Sequence, residues 1–129
     1  MYNLGIIGAG KIANEHIKVI KKINLLQLYG ITSKKNKTAK KLFIKYKFKK
    51  IFKNYLLMAK DENINAFIVL VTPNNVYEIL KYLAKFKKPI FLEKPTGLNY
   101  NENYKIAKIF KKYKVPNMVG YNRRFYSVF

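Results

Sequence analysis

Leu4-Gly5-Ile6-Ile7-Gly8-Ala9-Gly10-Lys11-Ile12-Ala13 is the stretch on which the fold turns. Residues 4–7 form a short, nearly continuous apolar run, the pattern of a strand buried on both faces. Gly8 to Ala13 then reads G-x-G-x-x-A, after which Ala13, His16, Ile17 and Ile20 fall at helical spacing on one side. A strand that ends in a glycine turn and opens a helix presents unpaired N–H groups and a partial positive charge to a phosphate. The first glycine permits the tight turn and the second lets backbone approach a pyrophosphate, while the small Ala13 lets helix pack close on strand. Gly8, Ala9, Gly10, Lys11 and Ile12 are therefore candidate dinucleotide-binding residues, against the plainer reading of a tight turn alone.

Outward from this turn the alternation continues. Apolar runs recur at Leu25 to Ile31, Ala66 to Val71, Ile90 to Leu92 and Met118 to Val119. Between them lie further helical stripes: Ala39, Leu42, Phe43 and Tyr46; Val76, Ile79, Leu80 and Leu83; Ile106, Ile109, Phe110 and Tyr113. Asn75 followed by Glu78 has the form of a capping box opening the second of these, and a shorter helix is predicted over Asn54 to Lys60. The opposite faces carry the lysines, as solvated helix faces do. The order βαβαβ, then αβαβ, predicts an α/β fold with a doubly wound parallel sheet whose right-handed crossovers place helices on both sides. Ligands on such sheets lie beyond the carboxyl ends of the strands.

Composition narrows the function classes. The 129 residues include 27 Lys and Arg against 6 acids, a formal net charge of +21. A single domain of this length buries roughly two thirds of its unfolded surface without help from cross-links. With no cysteine and one histidine, His16, the chain offers no disulfide scaffold, thiol nucleophile, Cys-type zinc site or His-rich metal site, so no metal is expected. The longest apolar runs fall far short of the ~20 residues that cross a bilayer, and residues 1–10 lack the form of a secretion signal; a cytoplasmic protein without membrane association is expected. The charge suggests nucleic acid, but 25 lysines against 2 arginines scattered over helix faces fit codon composition better than DNA reading, which favours Arg forks. No nucleic-acid partner is expected.

The end of the second apolar run bears on cofactor choice. An acidic residue there would bind a ribose 2′-hydroxyl, but the chain reads Gly30-Ile31-Thr32-Ser33-Lys34-Lys35. Ser33 and Lys34 would accept a 2′-phosphate that an acid would repel, which favours NADP(H) over NAD(H). The alternative is that these lysines are two more of a lysine-rich surface.

Three further segments fall at the ends of the later runs: Thr72-Pro73-Asn74, Glu93-Lys94-Pro95 and Gly120-Tyr121-Asn122-Arg123-Arg124-Phe125. Together with the glycine turn they resemble the N-terminal domain of the Gfo/Idh/MocA oxidoreductases, the glucose-fructose oxidoreductase and inositol dehydrogenase family. The resemblance covers essentially the whole chain. It implies a Rossmann sheet of order 3-2-1-4-5-6 over residues 1–121, with 122–129 starting a connection to a second α+β domain. It also implies that Thr72, Pro73, Asn74, Glu93, Lys94 and Asn122 join the cofactor site. Lys94 becomes the candidate catalytic residue, hydrogen-bonding the reacting oxygen of a sugar or polyol substrate and helping to move its proton. Glu93 orients the lysine or the cofactor, or caps a turn; His16, on an apolar stripe, is kept out of the site as a packing residue.

The chain departs from the family pattern at three points. Tyr77 stands where a histidine is common, and Lys87 where a glycine is common, at a cost of order 1 kcal/mol if that position is left-handed. The resemblance implies a second domain that brings the remaining catalytic groups and the assembly surface, and these 129 residues are expected to be the cofactor half without it. The expectation is a chain that binds cofactor and turns over little alone, forming oligomers only through the missing domain, with Phe125, Tyr126, Val128 and Phe129 as an exposed apolar patch. A non-enzymatic dinucleotide sensor or partner subunit is the competing function.

Overall fold

The structure is a computed structural model and describes residues 1–127. In chain order it comprises β1 (Tyr2–Ile7), α1 (Lys11–Ile20), β2 (Leu26–Thr32), α2 (Asn36–Tyr46), β3 (Lys50–Ile51), α3 (Tyr55–Ala59), β4 (Ala66–Val69), α4 (Pro73–Leu83), β5 (Ile90–Leu92), α5 (Tyr100–Tyr113) and β6 (Asn117–Val119). The six strands form one sheet in the order β3-β2-β1-β4-β5-β6, with every pairing parallel. This is the doubly wound Rossmann sheet that the sequence implied.

The continuous apolar runs are explained by burial on both faces. In β1, Ile7 joins a core layer with α3, α4 and α5, where Phe67, Leu80, Leu83, Ile90, Leu92, Ile106 and Phe110 pack. Its neighbours Leu4 and Ile6 point the other way, to Ala13, Ile17, Ile31 and Leu42 beneath α1 and α2. Successive residues of a strand face opposite sides, so a strand between two helix layers needs apolar residues at every position. Each large side chain buried this way contributes about 1.5 to 3 kcal/mol. No helix among the described residues is long and apolar enough to cross a membrane.

Several local expectations change. The apolar runs gave no sign of β3, whose two exposed residues pair with Gly30 and Ile31 at the sheet edge. The helix over Val76 to Leu83 begins at Pro73 with Thr72 as N-cap, so Asn75 sits inside its first turn and the Asn75–Glu78 capping box does not form. Proline at the first helical position fixes φ near the helical value and sets the start earlier. The last helix starts six residues ahead of its apolar stripe, where Asn99 Oδ1 accepts from the Glu102 N–H at 3.0 Å and Glu102 Oε2 from the Leu98 N–H at 2.8 Å. Lys87 is left-handed as feared, at φ 56°, and so are Lys47 and Lys114 just past α2 and α5. Phe125 and Tyr126 are exposed; Val128 and Phe129 lie outside the described residues.

Candidate functional site

Parallel strands bring all of their carboxyl ends to one edge, and the strand order reverses between β1 and β4. A crevice opens at such a reversal. The glycine turn enters it from β1. Gly8 N–H donates to Thr32 O at 2.9 Å, and Leu70 N–H donates to Ile7 O at 2.8 Å, so the turn leaves the sheet held on both sides. Gly8 has φ +111°, and a Cβ there would lie 2.2 Å from Leu70 O. Glycine is obligatory at this position for the fold itself.

Gly10 is different. It caps α1 in an extended conformation, and a Cβ placed on it would meet nothing within 4 Å. The fold has no need of glycine here, yet the open space lies at a helix N-terminus whose first turn has no side-chain cap and no acidic residue. A close-approaching phosphate uses both features. Ala9 is buried; Lys11 and Ile12 are exposed on the first turn of α1.

The other sequence-derived residues reach the same edge. Ser33 is half-buried and Lys34 exposed just beyond β2, after the buried Thr32. Thr72 and Pro73 start α4; Asn75 Nδ2 donates to Thr72 Oγ1 at 2.8 Å, which leaves the Thr72 hydroxyl proton free to donate elsewhere. Asn74 is exposed beside them. Glu93 and Lys94 follow β5, and the Lys94–Pro95 peptide bond is cis. Lys94 and Asn122 line one open depression together with Tyr121, Arg123 and Arg124. Tyr77 is partly buried against the α4 core layer.

His16, excluded on sequence grounds, belongs to this region. Its Nε2 lies 2.8 Å from Glu93 Oε1, across 77 residues of chain. Glu93 Oε2 accepts from the Lys94 backbone N–H at 3.0 Å. Glu93 therefore ties α1 to the loop that carries the lysine, and it also caps the Lys94 N–H at the start of that loop. Gly120 makes room for it, since a Cβ there would stand 3.0 Å from both Glu93 Oε1 and Phe91 Cζ. His16, Phe91, Glu93, Gly120 and Asn122 line an open groove of ≈ 350 Å³ between α1 and the β5–β6 edge, within the size range of small-molecule sites. The spacing of a stripe shows that residue 16 faces inward; which strand end it meets emerges only once the sheet is assembled.

The profile of the oxidoreductase family with an NAD-binding Rossmann fold, GFO_IDH_MocA, matches residues 2–121. Among curated proteins, myo-inositol 2-dehydrogenase of Thermotoga maritima is 31% identical over 122 residues, which is 95% of this chain and 36% of that protein. The crystal structure of a probable dehydrogenase from Thermotoga maritima superposes with a TM-score of 0.90 at 31% identity, over 95% of this chain and 37% of that one. The fold is shared as well with myo-inositol dehydrogenase from Lactobacillus casei, solved with NAD(H) and myo-inositol, at a TM-score of 0.92, 19% identity, and coverage of 98% and 38%. The chain thus spans little more than a third of the length of these relatives, the part that holds the nucleotide-binding sheet. On the glycine turn, the sheet order and these likenesses together, it belongs to the Gfo/Idh/MocA oxidoreductase family and carries that family's NAD-binding Rossmann fold.

Proposed function

We propose that the chain binds NAD(P) along the carboxyl edge of its sheet, pyrophosphate at Gly8 to Ala13, as the cofactor half of an oxidoreductase acting on a sugar or polyol hydroxyl. The observation that carries this reading is Gly10: its missing side chain leaves open space at an uncapped helix N-terminus, and nothing in the protein fills it. Gly8, Ala9, Gly10, Lys11 and Ile12 would hold the pyrophosphate side, and Thr72, Pro73 and Asn74 the crevice wall, with the Thr72 hydroxyl as donor. The nicotinamide supplies the hydride acceptor or donor for the reaction.

Lys94 is the group we assign to the proton. As an amine, Lys94, exposed on a loop held at its backbone, can accept the proton of the substrate hydroxyl as hydride passes from the carbon to the nicotinamide, and as the resulting ammonium it can return that proton in the reverse direction. The named substrates of the relatives, inositols, support a polyol hydroxyl as that oxygen. At the far end of the site, Ser33 and Lys34 support a preference for NADP(H), since nothing acidic stands at the end of β2 to accept a 2′-hydroxyl. A cytoplasmic setting, and oligomers formed only through further domain structure, belong to the same reading. The 129 residues alone would bind cofactor with little turnover, because positioning groups beyond Lys94 contribute several powers of ten.

Gly10→Val tests the site. The side chain enters open space, so the thermal unfolding midpoint should stay close to that of the unaltered chain while NADPH affinity falls at least about a hundredfold, the loss of roughly two charge-assisted hydrogen bonds. Undiminished binding in a calorimetric titration would remove the pyrophosphate from this turn.

A further inference from the structure

We propose that His16 is a positioning residue for Lys94: through Nε2–H it fixes the Glu93 carboxylate, whose second oxygen holds the Lys94 backbone N–H. The inference rests on the assignment of Lys94 to the site, and concerns what keeps it in place.

The hydrogen-bond directions follow from chemistry. An ionised carboxylate only accepts, so Nε2 of His16 carries the proton at the 2.8 Å contact with Glu93 Oε1. The Lys94 N–H donates to Oε2 at 3.0 Å. Side-chain exposure of 24% for His16 and 16% for Glu93 leaves both mostly screened from water, where a charge-assisted bond keeps more of its strength. Both ends are anchored. Glu93 N–H donates to Val69 O at 3.2 Å, and Gly120 N–H to Leu92 O at 2.9 Å, so the loop starts are tied into the sheet. The imidazole is held edge-on against Phe91, with ring centroids 5.3 Å apart. Gly120 completes the arrangement, because a side chain there would press on the carboxylate and on Phe91 together.

The consequence is a mechanical link between two halves of one site. α1 begins at the glycine turn that would receive the pyrophosphate, and His16 lies one and a half turns further along the same helix. Through Glu93 the start of the lysine loop is tied to that helix as well as to the sheet, so the Lys94 backbone keeps its place relative to the phosphate cradle. An ordinary packing histidine would leave Lys94 indifferent to its replacement.

Amide hydrogen exchange by NMR on the ligand-free 129-residue chain separates the two cases. His16→Leu keeps an apolar body and removes the donor; exchange at the Lys94 amide should quicken about tenfold or more, as expected for a lost charge-assisted bond. His16→Gln restores an N–H donor and should return most of the protection. Gly120→Ala, which displaces the carboxylate from the other side, should loosen the same amide and serves if His16→Leu folds poorly. An unchanged Lys94 amide in both His16→Leu and Gly120→Ala would overturn the proposal. So would failure of the Gln variant to rescue, or a loss of protection spread evenly over β1, β4 and β5. Because no cofactor is present, this outcome is independent of the dinucleotide assignment, which Gly10→Val tests by itself.

Discussion

Gly8 and Gly10 stand two residues apart and are glycine for different reasons. At Gly8 the reason is internal, since a Cβ would strike Leu70 O and the φ of +111° excludes other residues. At Gly10 the protein supplies no such steric reason, and the proposed pyrophosphate is what would use the open space. Ser33 and Lys34 invite the same question of which partner they serve. A charge-assisted hydrogen bond is worth about 1.5 to 3 kcal/mol, so one or two of them to a 2′-phosphate favour NADPH by roughly tenfold to a few hundredfold. Calorimetry with NADPH and NADH should show that order for the unaltered chain, and Ser33→Asp with Lys34→Ala should reverse it, because a carboxylate accepts from a ribose hydroxyl and repels a phosphate. The titrations belong at or above physiological salt, where a Debye length of about 8 Å removes most of the long-range pull of the +21 charge on any extra phosphate. Equal affinity for the two cofactors would return Ser33 and Lys34 to the solvated surface.

At the scale of elements, much of the fold is legible because both faces of the sheet are buried. The apolar runs of β1, β4 and β5 are unbroken for that reason, and the stripe of Val76, Ile79, Leu80 and Leu83 is buried in full. What escapes the sequence is what burial does not mark. β3 is two exposed residues defined only by pairing to β2, so hydrophobicity is silent about it. Helix starts are a competition between local signals. The pattern Asn-x-x-Glu occurs at 75–78 and at 99–102; Pro73 starts the first helix too early for Asn75 to cap it, whereas the proline nearest before Asn99, Pro95, lies four residues upstream and starts no helix, and there the cap forms. In the site, the glycine turn was readable locally, while the His16–Glu93 pair required the closed sheet. Helix ends carry a further consequence. Lys87 sits at φ 56°, ψ 16° after the 3-10 turn Ala84–Phe86, with its N–H bonded to Ala84 O. A left-handed conformation costs a residue with a Cβ about 1 to 2 kcal/mol, and glycine's extra chain entropy returns part of this. Lys87→Gly should therefore stabilise the chain by about 0.5 to 1 kcal/mol and raise the unfolding midpoint by a few degrees. Lys85→Gly, two residues earlier at a right-handed position, should lower it; a lower midpoint for Lys87→Gly would mean that the Lys87 side chain contributes more than its backbone costs.

For the whole molecule the dominant fact is 27 cations against 6 acids. Two lysine–carboxylate ion pairs occur among the described residues, Lys18–Glu15 and Lys50–Asp61. Elsewhere lysines lie over aromatic rings, as Lys108 does over Tyr104 at 4.6 Å and Lys45 over Tyr46 at 5.1 Å, so π faces stand in where carboxylates are scarce. Self-repulsion among the remaining cations opposes compactness and weakens as salt screens it. The unfolding midpoint at neutral pH should rise by a few degrees between about 10 mM and about 150 mM NaCl, where a protein held together by surface ion pairs would show a fall. Acid removes the few anions, and Asp61 matters most among them because its side chain is 8% exposed. Burial by itself would push its carboxyl up, but hydrogen bonds from Lys50 Nζ and from the Asn63 backbone and side-chain N–H groups outweigh this and hold it below the ordinary value. A carboxyl depressed in the folded state contributes stability that is complete above its unfolded pKa of about 3.9 and is lost as pH falls through the folded value. Glu15, lowered chiefly by its hydrogen bond from Lys18, acts with the same sign at the surface. Stability measured by denaturant titration should thus be nearly constant from about pH 7 to about pH 5 and fall below that, as the unfolded chain takes up the more protons. Asp61→Asn keeps an acceptor for Lys50 and removes the titration, so its stability should start lower at neutral pH and decline less steeply in acid. Parallel acid limbs for the two proteins would show that the loss comes from unbalanced repulsion among the lysines, with no share from this carboxylate.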